Sequence, residues 1–164
     1  NYVGAMRTTL VFIILLFAAG RYADATLVSH GKEPREAPVR PATPRSDMEQ
    51  RARDILMGAK DALSSGNVSF LRSHLGQRVY LNLFNGTNGY YSSDQAYLIL
   101  SSFFSTWPPI SFSFSSRNFS TANPYGFGPL TYERRGRRGI AELFLSLTRV
   151  GDRWVINQIT VSSR

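Results

Sequence analysis

Four arginines crowd one short run of this chain: Arg134, Arg135, Arg137 and Arg138 flank Gly136 in RRGRR. A guanidinium is planar, permanently charged and carries its donors in a fork that matches a carboxylate or phosphate two bonds at a time. Four of them in one hairpin loop can grip such an anion. The competing reading is a solvated turn whose charges merely repel one another. The run has no interleaved aromatics of the kind that stack single-stranded bases, so no nucleic-acid partner is expected.

Carriers of proton chemistry are fewer. Glu142 lies in an alternating segment, opposite the leucine row, which points it at solvent or a partner. Asp94 falls in the first turn of a helix, where a carboxylate complements the helix dipole. Asp152 belongs to a Gly-Asp-Arg turn, His74 lies near the end of a short helix, and His30 sits in a proline-rich stretch. These spacings give no carboxylate pair, His/Asp set or metal-ligand cluster, so no catalytic residue, metal or cofactor is assigned. A third chemistry comes from Tyr80, Tyr97, Phe112, Phe114 and Trp154. They either line a small-molecule pocket with a few hydroxyls or fill a core, where each tyrosine hydroxyl needs one partner.

The elements that must hold these residues follow from pattern. With 164 residues and 43% hydrophobic content, the chain has room for one domain with a real core. The absence of cysteine rules out disulfides, thiolate metal sites and a cysteine nucleophile. Ser46-x-x-Glu49 reads as a capping box opening a helix that runs to Ser65, with Ala52, Ile55, Leu56, Ala59, Ala62 and Leu63 at helical spacing. Gly66 stops it, and Asn67 caps a short second helix, VSFLRSHL, with Val68, Phe70, Leu71 and Leu75 turned inward. From Gln77 the period becomes two: Val79, Leu81 and Leu83 alternate with Tyr80, Asn82 and Phe84. A turn, NGTNG, leads to a short Tyr90-Tyr91 strand.

Ser92-x-x-Gln95 is a second capping box. It opens a helix whose Ala96, Ile99, Leu100, Phe103 and Trp107 share a face, with Tyr97, Leu98 and Phe104 widening the apolar surface almost all round. Pro108-Pro109 ends it. Four strands are then expected: ISFSFSS, with Ile110, Phe112 and Phe114 inward; Tyr125 to Glu133, with Gly126 and Gly128 permitting a bulge or bend; IAELFLSLTRV; and WVINQITVSS. The order α-α-β-β-α-β-β-β-β describes an α+β domain, helices on one face of a bent, meandering sheet.

Four pieces, ALSSGNVSFLRSHL, VYLNLFNGTNGYYSSDQAYLILSSFF, GFGPLTY and RWVINQITV, stand in an order that resembles an uncharacterised family of small exported proteins of Gram-negative bacteria. That family is placed in the nuclear transport factor 2-like, or cystatin-like cone, superfamily. The resemblance implies a bent antiparallel sheet wrapped around a helix, with a pocket at the cone's open end. Its wider membership includes isomerases, dehydratases and epoxide hydrolases beside non-catalytic modules, so the fold alone does not decide function. The reading is an exported, non-catalytic binding or assembly module, with a homodimer through the outer sheet face as one assembly. One alternative is a small-molecule lyase or isomerase using a lone acid or base in the cone pocket. Another is an anion-binding surface protein working through the Arg134–Arg138 hairpin.

The address comes from the first residues. Met6-Arg7, the apolar run Leu10 to Ala19, Gly20 and then Ala23-Asp24-Ala25 form the parts of a secretory signal peptide. The run is shorter than the ~20 apolar residues of a membrane span. With no cysteine after it, a lipoprotein anchor is excluded. Residues 1–5 read as sequence upstream of the start, 26–45 as a flexible linker with Pro34, Pro38, Pro41 and Pro44, and 46–164 as the domain. The mature chain is expected in the periplasm or outside the cell, with no membrane anchor. The sequons at Asn67, Asn85 and Asn118 would be used only in a eukaryotic secretory pathway, which is not expected. A net charge of +8 then favours anionic envelope polymers or lipid as partners. Exported protein should begin at Thr26 on N-terminal sequencing; material still carrying Met6 to Ala25 would refute the cleavage.

Overall fold

A computed structural model describes residues 44–120 and 122–164; the expected signal peptide and nearly all of the expected linker lie outside them. Helix α1 (Pro44–Ser65) buries Ala52, Leu56, Ala59, Ala62 and Leu63, the face its periodicity marks out. It already includes Pro44 and Arg45, ahead of the expected start at Ser46. Ser46 therefore lies within the helix, and the Glu49 carboxylate pairs with Arg45 at 3.4 Å. Gly66, at φ 73°, ends the helix. Helix α2 (Ser69–Arg72) is a single turn, shorter than expected, with the Asn67 side chain accepting from the Ser69 amide. Leu75 is buried as expected, but it opens strand β1 (Leu75–Leu83).

Strand β2 (Asn88–Tyr91) folds back on β1. Helix α3 (Ser93–Thr106) starts at the expected capping box, with Ser92 Oγ accepting from the Gln95 amide and Gln95 Oε1 accepting from the Ser92 amide. It buries Ala96, Leu100, Phe103 and Phe104. Its apolar surface is narrower than the sequence suggests: Leu98 is 66% exposed, and Tyr97 is only half-buried.

Next come β3 (Pro109–Phe112), β4 (Ser116–Asn118), β5 (Tyr125–Arg134), β6 (Arg137–Val150) and β7 (Arg153–Ser163). The sheet order is β2-β1-β7-β6-β5-β3, with β4 also on β5. All pairings are antiparallel but one: β1 runs parallel to β7. Register shifts between Leu75 and Tyr80 in β1 and between Ser146 and Leu147 in β6 bend the sheet. Its inner face packs on α1 and α3 as one apolar core, and no polar or charged residue is buried among the described ones. Trp154 of β7 donates its indole N–H to the Met48 carbonyl of α1 at 2.9 Å, tying helix to sheet. No helix among the described residues is long and apolar enough to cross a membrane.

The ISFSFSS stretch is not one strand. β3 pairs with Leu130 to Tyr132 and β4 with Tyr125 to Phe127, both on β5, and 113–115 arches between them. Ile110 is consequently 40% exposed where an inward position was expected. The glycines of β5 explain the break. A Cβ on Gly128 would stand 2.0 Å from the Ser113 carbonyl oxygen, and one on Gly126 would enter the Phe114 ring. Their role is to admit the arch, while the β5·β6 ladder passes them without a bulge. Gly128→Ala must displace backbone, so it should cost ~2 kcal/mol or more in urea denaturation. Gly126→Ala, meeting only a side chain that can turn aside, should cost clearly less; equal losses would contradict this account.

Candidate functional site

The β5–β6 hairpin closes with the two-residue turn Arg135-Gly136, at φ 49° and 74°, both left-handed as the twist of a tight hairpin requires. From it the register runs Arg134↔Arg137, Glu133↔Arg138, Tyr132↔Gly139 and Leu130↔Ala141. Side chains alternate between faces along a strand. Leu130 and Ala141 are buried on the inner face. Tyr132 with Gly139, and then Arg134 with Arg137, therefore continue that face outward to the hairpin tip.

Two further elements meet it there. The capping Trp107 at the end of α3, its amide held by the Phe103 carbonyl at 2.9 Å, is released from the helix by Pro108-Pro109. Phe84 follows the last residue of β1. Its ring centroid lies 5.0 Å from Phe103, 5.2 Å from Trp107 and 5.4 Å from Tyr132. Phe103 is buried beneath, whereas Phe84, Trp107 and Tyr132 are half-exposed. The Arg134 guanidinium lies over the Trp107 ring, 4.8 Å from its centroid.

These groups enclose an open cavity of about 550 Å³, floored by Phe84, Trp107 and Tyr132 and rimmed by Asn85, Arg134, Arg137, Arg138 and Gly139. No carboxylate of the described residues lines it. Among the described residues, ion pairs are made by Arg45, Lys60, Arg149 and Arg164, and by none of the hairpin arginines. Like charges held together in one concavity raise the local potential and draw in an anion. The expected arginine hairpin is thus present. Arg134, Arg137 and Arg138 border this cavity, and Arg135 faces a neighbouring hollow beside Ser105 and Pro109.

The five aromatic candidates are not brought together. Tyr80 lies on the outer sheet face, its hydroxyl donating to Asn88 Oδ1 at 2.9 Å and its ring beside Tyr90. Tyr97 sits under Arg72, at 5.2 Å. Phe112 is buried and packs edge-on against Phe114, and Trp154 is pinned to α1. Phe112 and Trp154 fill the core. Asp94 is exposed in the first turn of α3, and Glu142, on the outer face, pairs with Arg164.

Sequence reasoning missed Phe84, Trp107 and Tyr132 as the floor, and Gly139 at the rim. Counting back from a two-residue turn would have placed Tyr132 and Gly139 beside the arginines; Phe84 and Trp107 arrive only through tertiary packing.

A second hollow, of about 370 Å³, brings His74, Asp54 and Asp152 to one place with Arg51 and Arg153, a grouping the spacings did not suggest. His74 Nδ1 lies 2.9 Å from the Phe70 carbonyl and 3.1 Å from the Ser73 hydroxyl. Asp54 accepts from Gln50 at 2.7 Å, and Asp152 pairs with Arg149 at 3.4 Å.

Comparison with known proteins adds kinship and fold. A domain of unknown function, DUF4783, matches residues 57–162. A DUF4783 family protein from Bacteroides uniformis superposes with a TM-score of 0.60 at 22% identity, covering 66% of this chain and 95% of its own. One from Bacteroides fragilis gives 0.58 at 24% identity, covering 65% and 96%. A putative SnoaL-like polyketide cyclase from Jannaschia gives 0.55 at 12% identity, covering 71% and 88%. These likenesses establish the nuclear transport factor 2-like cone as the fold. No curated protein matches the sequence.

Arg135 is the one described non-glycine residue at positive φ. Asparagine tolerates that conformation far better, so Arg135→Asn should raise stability by ~1 kcal/mol in urea denaturation. No gain would mean the turn is unstrained.

Proposed function

This chain belongs to the DUF4783 family, a domain of unknown function, and we propose that it is an exported, non-catalytic module that binds an anion at the arginine-rimmed cavity. The observation that carries this reading is the meeting of Arg134, Arg137 and Arg138 around one open cavity whose described lining includes no carboxylate. Guanidiniums do not deprotonate near neutral pH, so they hold charge and donate hydrogen bonds without moving protons. Asn85 and the Tyr132 phenol are the other polar groups of the lining. A lining of this composition orients and neutralises an anion; it is poorly equipped to abstract a proton. Export is supported by the order of charged start, apolar run and small-residue site in Met6 to Ala25.

Isothermal titration of the full chain with acetate and naphthoate tests the anion site. Binding should weaken as salt rises, because part of the attraction comes from screened surface charge. The double variant Arg134→Ala/Arg137→Ala should lose affinity by about tenfold or more, since a hydrogen bond to a charged group contributes ~1.5–3 kcal/mol. Circular dichroism of the variant should match the parent, as both side chains are exposed. Unchanged binding in the folded double variant would reject the site.

A further inference from the structure

We propose that the cavity is built for an aromatic carboxylate: a flat ring laid on the Phe84–Trp107–Tyr132 floor, with its carboxylate held by Arg134 and Arg137. The proposal rests on the anion-site reading above and names the ligand class. Its basis is that two demands occur together in one cavity. The arginines require negative charge, and the half-exposed rings beneath them require an apolar, planar cover. An inorganic anion would leave the rings in water. A neutral ring would leave the guanidiniums unpaired. One ligand carrying both groups satisfies both.

Three details of the site point the same way. Arg134 lies over Trp107, its Cζ 4.8 Å from the ring centroid, a position from which a guanidinium can stack by its face and keep its N–H edge for an acceptor. A carboxylate can meet that edge with two parallel bonds while the stack remains. The Tyr132 ring, in turn, lies across Gly139: a Cβ there would stand 2.3 Å from the tyrosine Cζ. Only the missing side chain lets the ring lie down against β6, where it forms floor instead of filling the cavity. Finally, the Tyr132 hydroxyl makes no hydrogen bond among the described residues, so it is available to donate to the second carboxylate oxygen. At about 550 Å³ the space suits a one- or two-ring acid.

Calorimetric titration of the full chain with naphthoate, acetate and naphthyl methanol separates the contributions. Naphthoate is expected to bind about tenfold or more tighter than either of the other two, the worth of one stacked ring or one charge-assisted contact. Gly139→Ala, which lifts Tyr132 off β6, should weaken naphthoate about fivefold and acetate clearly less, because acetate loses only the Tyr132 donor while naphthoate loses ring contact as well, and the arginines stay in place. Equal affinities for naphthoate and acetate would overturn the aromatic proposal and leave the anion site standing. Naphthyl methanol binding as tightly as naphthoate, with no effect of Arg134→Ala/Arg137→Ala, would overturn both. Absence of binding by all three at millimolar concentration would also overturn both. The comparison of the three probes on the unaltered protein decides even if a variant fails to fold.

Discussion

Everything at the candidate site depends on the register of one hairpin. The turn at Arg135-Gly136 pairs Arg134 with Arg137 and Tyr132 with Gly139, on the same face as the buried Leu130 and Ala141. Because side chains alternate with period two, a slip of one residue along either strand would turn that strand's three residues to the other face. A slip of β5 would put Glu133 over Trp107 and Thr131 where the core needs Leu130; a slip of β6 would put Ile140 where it needs Ala141. The core thus enforces the register from one end and the left-handed turn from the other. The arginine pair rides on both. A positively charged site can be held rigidly here because its position is set by apolar packing several residues away and not by its own contacts.

The other half of the site is delivered by a longer route. Strand β1 lies parallel to β7, an arrangement no hairpin can make, and it carries Phe84 out just beyond the core residue Leu83. Helix α3 ends beside it with Trp107, because Pro108-Pro109 cannot continue the helix. The Phe103 ring, buried one turn earlier in α3, contacts both Phe84 and Trp107. A helix end, a strand end and a hairpin tip therefore converge over a single buried phenylalanine. With the described interior wholly apolar, polar chemistry is confined to such margins.

Local signals were legible and non-local ones were not. The Ser92 capping box, the Gly66 stop, the buried face of α1 and the paired arginines of the turn are each encoded within a few residues, where sterics and one or two hydrogen bonds decide the outcome. Ser46 misled because the helix already runs through Pro44 and Arg45, which the capping pattern does not weigh. The broken ISFSFSS strand was harder: its alternation fits a continuous strand, and the arch at 113–115 exists because Gly126 and Gly128, a dozen or more positions away, leave room for it. Tyr80 illustrates the limit on reading a site. Its alternation with Val79 and Leu81 assigned it correctly to the opposite face, yet its value as a pocket residue depended on which face closes around the helices, and that is set by the whole sheet.

The hollows at His74 and at the hairpin also show why composition alone does not identify a ligand site. The hollow at His74 holds both signs of charge, and its groups have largely found partners: Asp54 has Gln50, Asp152 has Arg149, and the imidazole is fastened to the Phe70 carbonyl and stacked on its ring at 4.3 Å. Little is left for a ligand to satisfy. At the hairpin, Glu133 stands opposite Arg138 but no guanidinium is in an ion pair among the described residues, and the rings below keep part of their faces in solvent. Binding is strongest where a surface has been left with specific unmet demands, since a ligand gains most by meeting interactions that the protein alone cannot complete. By that criterion the arginine cavity, with fewer kinds of titratable group, is the better prepared of the two.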